Sequence, residues 1–303
     1  MSDITLIEVG PRDGLQNERT PLDAATRIQL VEHLNDAGLH DIEVGSFVSP
    51  QWVPQMAGTE HVIDALARRH FNKIALVPNE KGLERALAHP VETIAIFTAA
   101  SDTFCQRNIN CTIDESLSRF RAVVARALDA GMAVRGYVSC LMACPYEGPT
   151  NAEAVIRVTE ALLDIGCVEV SLGDTIGVGT ARQIAQRIEQ VLKVTGTGQI
   201  ALHLHDTRGQ AVSAIDRCLD LGITRFDTSI AGLGGCPYAR GASGNVATED
   251  VVYLLEKNGY DTGLDMDRLA ETGHWISQHL GRPYTARAGL AHYNTMTLKE
   301  GEA

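Results

Sequence analysis

Apolar residues recur along this chain in two alternating rhythms. Short β-rich runs at 4–9, 41–47, 73–77, 93–98, 133–139, 168–172, 200–205 and 225–230 are separated by stretches whose apolar positions return every three or four residues. The first rhythm predicts eight strands; the second predicts helices between them, among others over 24–37, 117–130, 152–165, 181–194 and 210–221. Gly38, Gly131, Gly166 and Gly222 each precede a strand run, where a left-handed residue commonly ends a helix. Eight strand–helix units in series fit a parallel sheet, because parallel strands need crossovers of that length. The expected fold is α/β, a (β/α)8 TIM barrel, with an open doubly wound sheet as the alternative. Two further helices, over 248–258 and 266–280, follow the eighth strand, and the tail from Gly281 has no clear pattern. With no linker or low-complexity segment, residues 1–303 read as a single catalytic domain, the barrel over about 4–245 and the additional C-terminal helices over about 246–280.

Composition narrows the classes. A hydrophobic fraction of 45% suits a large core, and a net charge of −12 without a Lys/Arg run argues against nucleic acid as partner. No apolar stretch approaches 18 residues, so no membrane span is expected. The seven cysteines (Cys105, Cys111, Cys140, Cys144, Cys167, Cys218 and Cys236) are scattered and form no C-x-x-C pair. That argues against a zinc knuckle and for a reducing compartment. A strand-like run begins at residue 4, leaving no room for a signal peptide, so the expected localisation is cytoplasmic.

In a barrel the chemistry lies at the C-terminal ends of the strands. The first strand run leads into Gly10-Pro11-Arg12-Asp13-Gly14-Leu15-Gln16-Asn17, the second carries Glu43 and Ser46, and the sixth leads into Asp174 and Thr175. The seventh ends His203-Leu204-His205, whose two imidazoles share one face of a strand. The eighth leads into a Gly-rich loop, 234–245, with Cys236 near one end and Asn245 at the other. Strand one of a closed barrel neighbours strand eight, which neighbours strand seven, so Asp13, Asn245, His203 and His205 meet at the mouth. Two imidazoles, a carboxylate and an amide oxygen fit a divalent cation, Mg²⁺ or Mn²⁺, while a two-His, one-carboxylate Fe(II) site could use the same donors. Arg12 holds a fixed positive charge suited to a developing oxyanion, or else pairs with a neighbouring carboxylate. Glu43 and Asp174 are candidates to tune the imidazoles, hold Arg12 or move a proton. Arg107 and Arg135 are candidate cationic contacts for an anionic substrate, with Gln16, Ser46 and Thr175 as further polar groups at the mouth. Cys236 has a loop position suited to acid, gate or packing.

The segments 8–18, Ser46-Phe47-Val48-Ser49-Pro50, His203-Leu204-His205-Asp206-Thr207 and Gly234-Gly235-Cys236-Pro237-Tyr238-Ala239 together resemble the hydroxymethylglutaryl-CoA lyase family over about residues 4–280. The resemblance implies a metal-dependent carbon–carbon lyase that cleaves 3-hydroxy-3-methylglutaryl-CoA to acetoacetate and acetyl-CoA. It implies Asp13, His203, His205 and Asn245 as metal ligands, Arg12 as the catalytic arginine and Cys236 as the active-site cysteine. Glu43 and Asp174 fall near the reacting groups, the substrate is an acyl-CoA, and a homodimer is expected. Arg208 stands where some relatives carry an aromatic residue, which leaves open a related 3-hydroxy-3-alkylglutaryl-CoA as substrate. A metal-dependent acyl-CoA condensing transferase would share the Arg-Asp and His-x-His elements.

Overall fold

Eight parallel strands close on themselves in the computed structural model, which describes residues 4–235 and 244–301. They are β1 (Thr5–Glu8), β2 (Asp41–Ser46), β3 (Asn72–Leu76), β4 (Thr93–Ala99), β5 (Ala133–Ser139), β6 (Glu169–Asp174), β7 (Ile200–Leu204) and β8 (Arg225–Thr228). Each pairs with its neighbours in chain order, and β1 closes the ring on β8 with Thr5 opposite Arg225. This is the TIM barrel expected, rather than an open sheet.

The crossovers carry α1 (Ala24–Asp36), α2 (Thr59–Ala65), α3 (Glu80–Ala86), α4 (Asp102–Ile109), α5 (Ile113–Asp129), α6 (Ala152–Asp164), α7 (Ala181–Val191) and α8 (Ala211–Leu219). Their boundaries follow local chemistry. α5 starts four residues before the apolar pattern suggests, because Thr112 caps the N–H of Glu115 and the Glu115 carboxylate takes the N–H of Thr112 in return. Its Leu117, Phe120, Val123, Val124 and Ala127 face the sheet and are buried.

The barrel interior is divided. Ile7, Val9, Ile74, Leu76, Ala95 and Tyr137 form a small apolar cluster, mostly from β1, β3 and β4. Across from it Arg135, Glu169, Ser171 and Asp227, from β5, β6 and β8, are buried polar groups bonded to one another. The apolar residues between the strands and helices form the larger core.

After the barrel come α9 (Thr248–Lys257), α10 (Met266–Leu280) and α11 (Arg287–Gly301). The last corrects the expectation of a patternless tail. α11 has little amphipathic rhythm because it is fastened by single contacts: the N–H of Ala288 donates to Asp250 Oδ1 at 2.6 Å, and small Gly289 packs against the Tyr284 ring.

Two buried carboxyls tie this end to the barrel mouth. Glu8 accepts the N–H groups of Gly10 and Ile230 and the hydroxyl of Thr248. Glu249 accepts the N–H of Ala231 and the hydroxyl of Tyr284. Burial pushes Glu8 up to about 7 and Glu249 up to about 8, against the pull of those donors. A carboxyl whose pKa is raised on folding stabilises the fold below its unfolded value of 4.5, and that contribution is lost as pH rises through the folded value. Wild-type melting temperature should therefore fall relative to Glu249→Gln between pH 5 and 8, measured by circular dichroism at matched ionic strength. Parallel curves for the two proteins would contradict the assignment.

Candidate active site

β1 runs directly into a single wide turn, Gly10–Gly14, in which the N–H of Gly14 reaches back five residues to Val9 at 3.1 Å. Such π-type turns are uncommon and cluster at functional sites. Gly10 is required there, because a Cβ would stand 2.5 Å from Glu8 Oε1. The turn presents Arg12 and Asp13 at the mouth. Arg12 Nε donates to Glu43 Oε2 at 2.8 Å and Nη1 to Asp13 Oδ1 at 2.9 Å. Both readings of Arg12 thus meet in one place: it is paired with carboxylates and it also lines the cavity. Burial alone would lower its pKa, but Glu43 and Asp13 outweigh that and hold it above the ordinary value.

Asp13, His203 and His205 converge, with one donor atom of each within 4.8 Å of the others. Asn245 sits opposite His205 in an isolated antiparallel bridge. Its Nδ2 donates to Asp13 Oδ2 at 2.9 Å and to the carbonyl of Leu233 at 3.2 Å. Burial opposes ionisation of Asp13, yet Arg12 and the two imidazoles hold its carboxyl down at about 2. Burial, reinforced by His203, drops His205 to about 4, so it is neutral near pH 7. Asn245 Oδ1 and His205 Nδ1 are buried without a hydrogen-bond partner among the described residues. Unpaired buried polar atoms beside an ionised carboxylate are what a cation site needs and what a purely structural cluster avoids. The residues present therefore fit a divalent cation.

A cavity of about 720 Å³ opens in front of these donors. Arg12, Asp13, Gln16, Tyr137, Ser171, Thr175, His203 and His205 face it, as does Gly235. The other candidate residues fall behind its wall. Glu43 is buried beneath Arg12 and also accepts the Tyr137 hydroxyl at 3.1 Å. Ser46 is buried, its hydroxyl directed to the carbonyl of Leu76. Asp174 lies between two cavity-lining residues, Gly173 and Thr175, on the other side of the pleat, where it accepts the N–H of Gly179 at 2.8 Å. Burial raises its pKa.

Arg135 does not reach the cavity; its guanidinium is held by Glu169 and Asp227 inside the barrel. Arg107 stacks on the Tyr146 ring at 4.3 Å, and Arg119, which the sequence did not single out, lines the cavity instead. Cys111 also lines it, whereas Cys140 and Cys144 are buried elsewhere. Cys236 lies outside the described residues. Two further groups escaped sequence reasoning. Tyr137 lies against both guanidinium groups, 5.5 Å from Arg12 and 4.9 Å from Arg135. Asp227 contacts His203 Nδ1 at 3.1 Å. The period-two pattern of β5 and β8 marks both as inward-facing and was the available signal.

A closed parallel barrel with a carboxylate and two imidazoles that could hold a cation, and a fixed guanidinium, at its C-terminal mouth defines a TIM-barrel enzyme. The family is narrower than that class. The HMGL-like family model matches residues 3–276, and the chain belongs to that family. It is 49% identical to hydroxymethylglutaryl-CoA lyase of Pseudomonas mevalonii over 96% of this chain and 97% of that protein. It is 51% identical to a Pseudomonas aeruginosa protein named 3-hydroxy-3-isohexenylglutaryl-CoA/hydroxy-methylglutaryl-CoA lyase, over 95% and 96%. The crystal structure of hydroxymethylglutaryl-CoA lyase from P. aeruginosa superposes with a TM-score of 0.93 at 51% identity, covering 95% of this chain and 97% of that one.

Replacing the carboxylate of the candidate cation site should be felt first in metal affinity. Asp13→Asn is expected to weaken Mn²⁺ binding by at least roughly tenfold, on the order of 1.4 kcal/mol or more, in a titration followed by electron paramagnetic resonance. Unchanged affinity would remove Asp13 from the ligand set.

Proposed function

We propose that this protein is a metal-dependent lyase that splits 3-hydroxy-3-methylglutaryl-CoA into acetoacetate and acetyl-CoA. The observation that carries the reading is the cluster Asp13, His203 and His205 facing the same cavity as Arg12, with the Asn245 amide bonded to Asp13 beside it. The donor set suits Mg²⁺ or Mn²⁺. When bound, such an ion makes a nearby substrate hydroxyl easier to deprotonate.

The reaction removes the proton of the C3 hydroxyl and breaks the C2–C3 bond. The bonding pair passes to C2 and the thioester as an enolate, which takes up a proton to become acetyl-CoA. C3 becomes the ketone carbon of acetoacetate. Arg12 stabilises the developing enolate oxygen: Nε and Nη1 are committed to Glu43 and Asp13, which fixes the guanidinium plane toward the cavity. Tyr137 packs under it. In this reading Cys236 delivers the proton to C2 or closes the loop against water; Gly235, its neighbour in the chain, lines the cavity.

A second cavity of about 890 Å³ shares Asn17 with the first and is rimmed by Arg19, Arg208 and Arg287. Such guanidinium groups suit the phosphates of a CoA. The wall of the first cavity also supports a wider acyl range. Leu76, Pro78, Phe97, Phe104, Ile109 and Phe120 form an apolar face there, more than a methyl group requires. The P. aeruginosa relative's name covers an isohexenyl as well as a methyl substituent. We therefore include longer 3-alkyl analogues among the substrates.

The test is a coupled assay of the purified protein, with and without Mg²⁺ or Mn²⁺. Acetoacetate and acetyl-CoA should appear in equal amounts from the methyl substrate. Consumption of acetyl-CoA with a 2-oxoacid, and none of the lyase substrate, would sink the reading. Arg12→Gln should lower kcat by roughly 10²–10³. Ile109→Phe should penalise an isohexenyl substrate over the methyl one by about 10-fold or more in kcat/KM; equal effects on both would exclude that wall from substituent selection.

A further inference from the structure

We propose that Asp227 is a positioning residue that sets the tautomer and orientation of His203, an inference that rests on the ligand reading of His203 given above. A neutral imidazole that offers one nitrogen to a cation must carry its proton on the other. His203 Nδ1 stands 3.1 Å from Asp227 Oδ2, while Nε2 faces Asp13 Oδ2 at 3.8 Å. The acceptor behind the ring therefore assigns the proton to Nδ1 and leaves the Nε2 lone pair for the site.

The rest of the network has one evident consequence, which is to keep that acceptor in place. Asp227 is 1% exposed, and a carboxylate so buried must be fully paired. Arg135 Nη2 donates to Oδ1 at 2.8 Å and the Ser171 hydroxyl donates to Oδ2 at 2.7 Å. Arg135 is itself anchored by Nε on Glu169 Oε1 at 3.0 Å. Tyr137 meets the imidazole edge-on at 5.9 Å and restrains its other side. Arg135, a candidate substrate contact in the sequence, thus acts two bonds behind the ligand.

Asp227→Asn keeps the size and changes the proton pattern. The amide oxygen would turn to Arg135, since an NH₂ facing a guanidinium is repulsive. The amide NH₂ then meets His203 Nδ1, which must accept, and the proton moves to Nε2, where it faces the cation site. An acid-to-amide change beside a histidine is known to force the wrong tautomer in this manner.

The experiment is an Mn²⁺ titration of wild type, Asp227→Asn, Ser171→Ala and His203→Ala, with kcat at saturating metal and thermal melting of each metal-free protein. Asp227→Asn should lose about 10- to 100-fold in Mn²⁺ affinity, and Ser171→Ala much less. Nitrogen chemical shifts of ¹⁵N-histidine-labelled, Mg²⁺-loaded wild type should show His203 protonated at Nδ1, a readout that needs no variant to fold. Asp227→Asn binding Mn²⁺ within twofold of wild type, or His203 protonated at Nε2 in wild type, would overturn the proposal. If His203→Ala also binds Mn²⁺ normally, the ligand reading itself falls; if only Asp227→Asn does, that reading stands and this inference alone is lost.

Discussion

Two buried arginines, each clamped between two carboxylates, hold the mouth of this barrel together. Arg12 lies between Glu43 and Asp13, and Arg135 between Glu169 and Asp227. Tyr137 joins the pairs: its hydroxyl accepts from Arg135 Nη1 at 3.0 Å and donates to Glu43 Oε2 at 3.1 Å. A charge taken out of water is tolerable only when paired and hydrogen-bonded. Removal of either arginine would leave a buried carboxylate, Glu43 or Asp227, without the guanidinium that pairs it. The network spans the barrel from β2 through β5 to β8, so the strand register and the site geometry are a single constraint.

This arrangement explains why side chains far apart in the chain can act together on a small substrate. Arg12 and His203 are far apart in the sequence, yet each is fixed by a carboxylate behind it and presents its free edge to the cavity. Groups already oriented before substrate arrives do not spend binding energy on reorganisation. The apolar half of the interior, with Ile7, Val9, Ile74 and Leu76, completes the plug beneath the site. Its low polarity strengthens the charge interactions above it.

Much of this was legible in the amino-acid order. Eight β-rich runs with helical spacers predicted the closed ring, and strand-end chemistry singled out Arg12, Asp13, His203, His205 and Asn245 as neighbours. What escaped was pairing across the barrel. Asp227 and Arg135 are 92 positions apart, and nothing local in either segment announces that they meet. Arg135 shows a cation on a strand but not its depth in the barrel, which only register decides. Asp174 shows a carboxylate at a strand end but not its pleat parity, and one residue's shift turns a side chain from the cavity to the helices. α11 escaped because it shows no clear apolar stripe in sequence, while its contact from the Ala288 N–H to Asp250 is long-range.

The Gly-rich segment after β8 shows the same logic on the backbone. Gly244 allows the chain to return so closely that a Cβ there would stand 2.4 Å from the carbonyl oxygen of Gly232 and 2.6 Å from that of Gly234. That pinch places Asn245 beside His205 and lets its amide reach both Asp13 and Leu233. Among the described residues, His205, Asp13 and Leu233 hold Asn245 in place. Asn245 is in this way built into the barrel wall, through His205 just past β7 and through Asp13 in the turn after β1, so its place follows from the closure of the barrel itself.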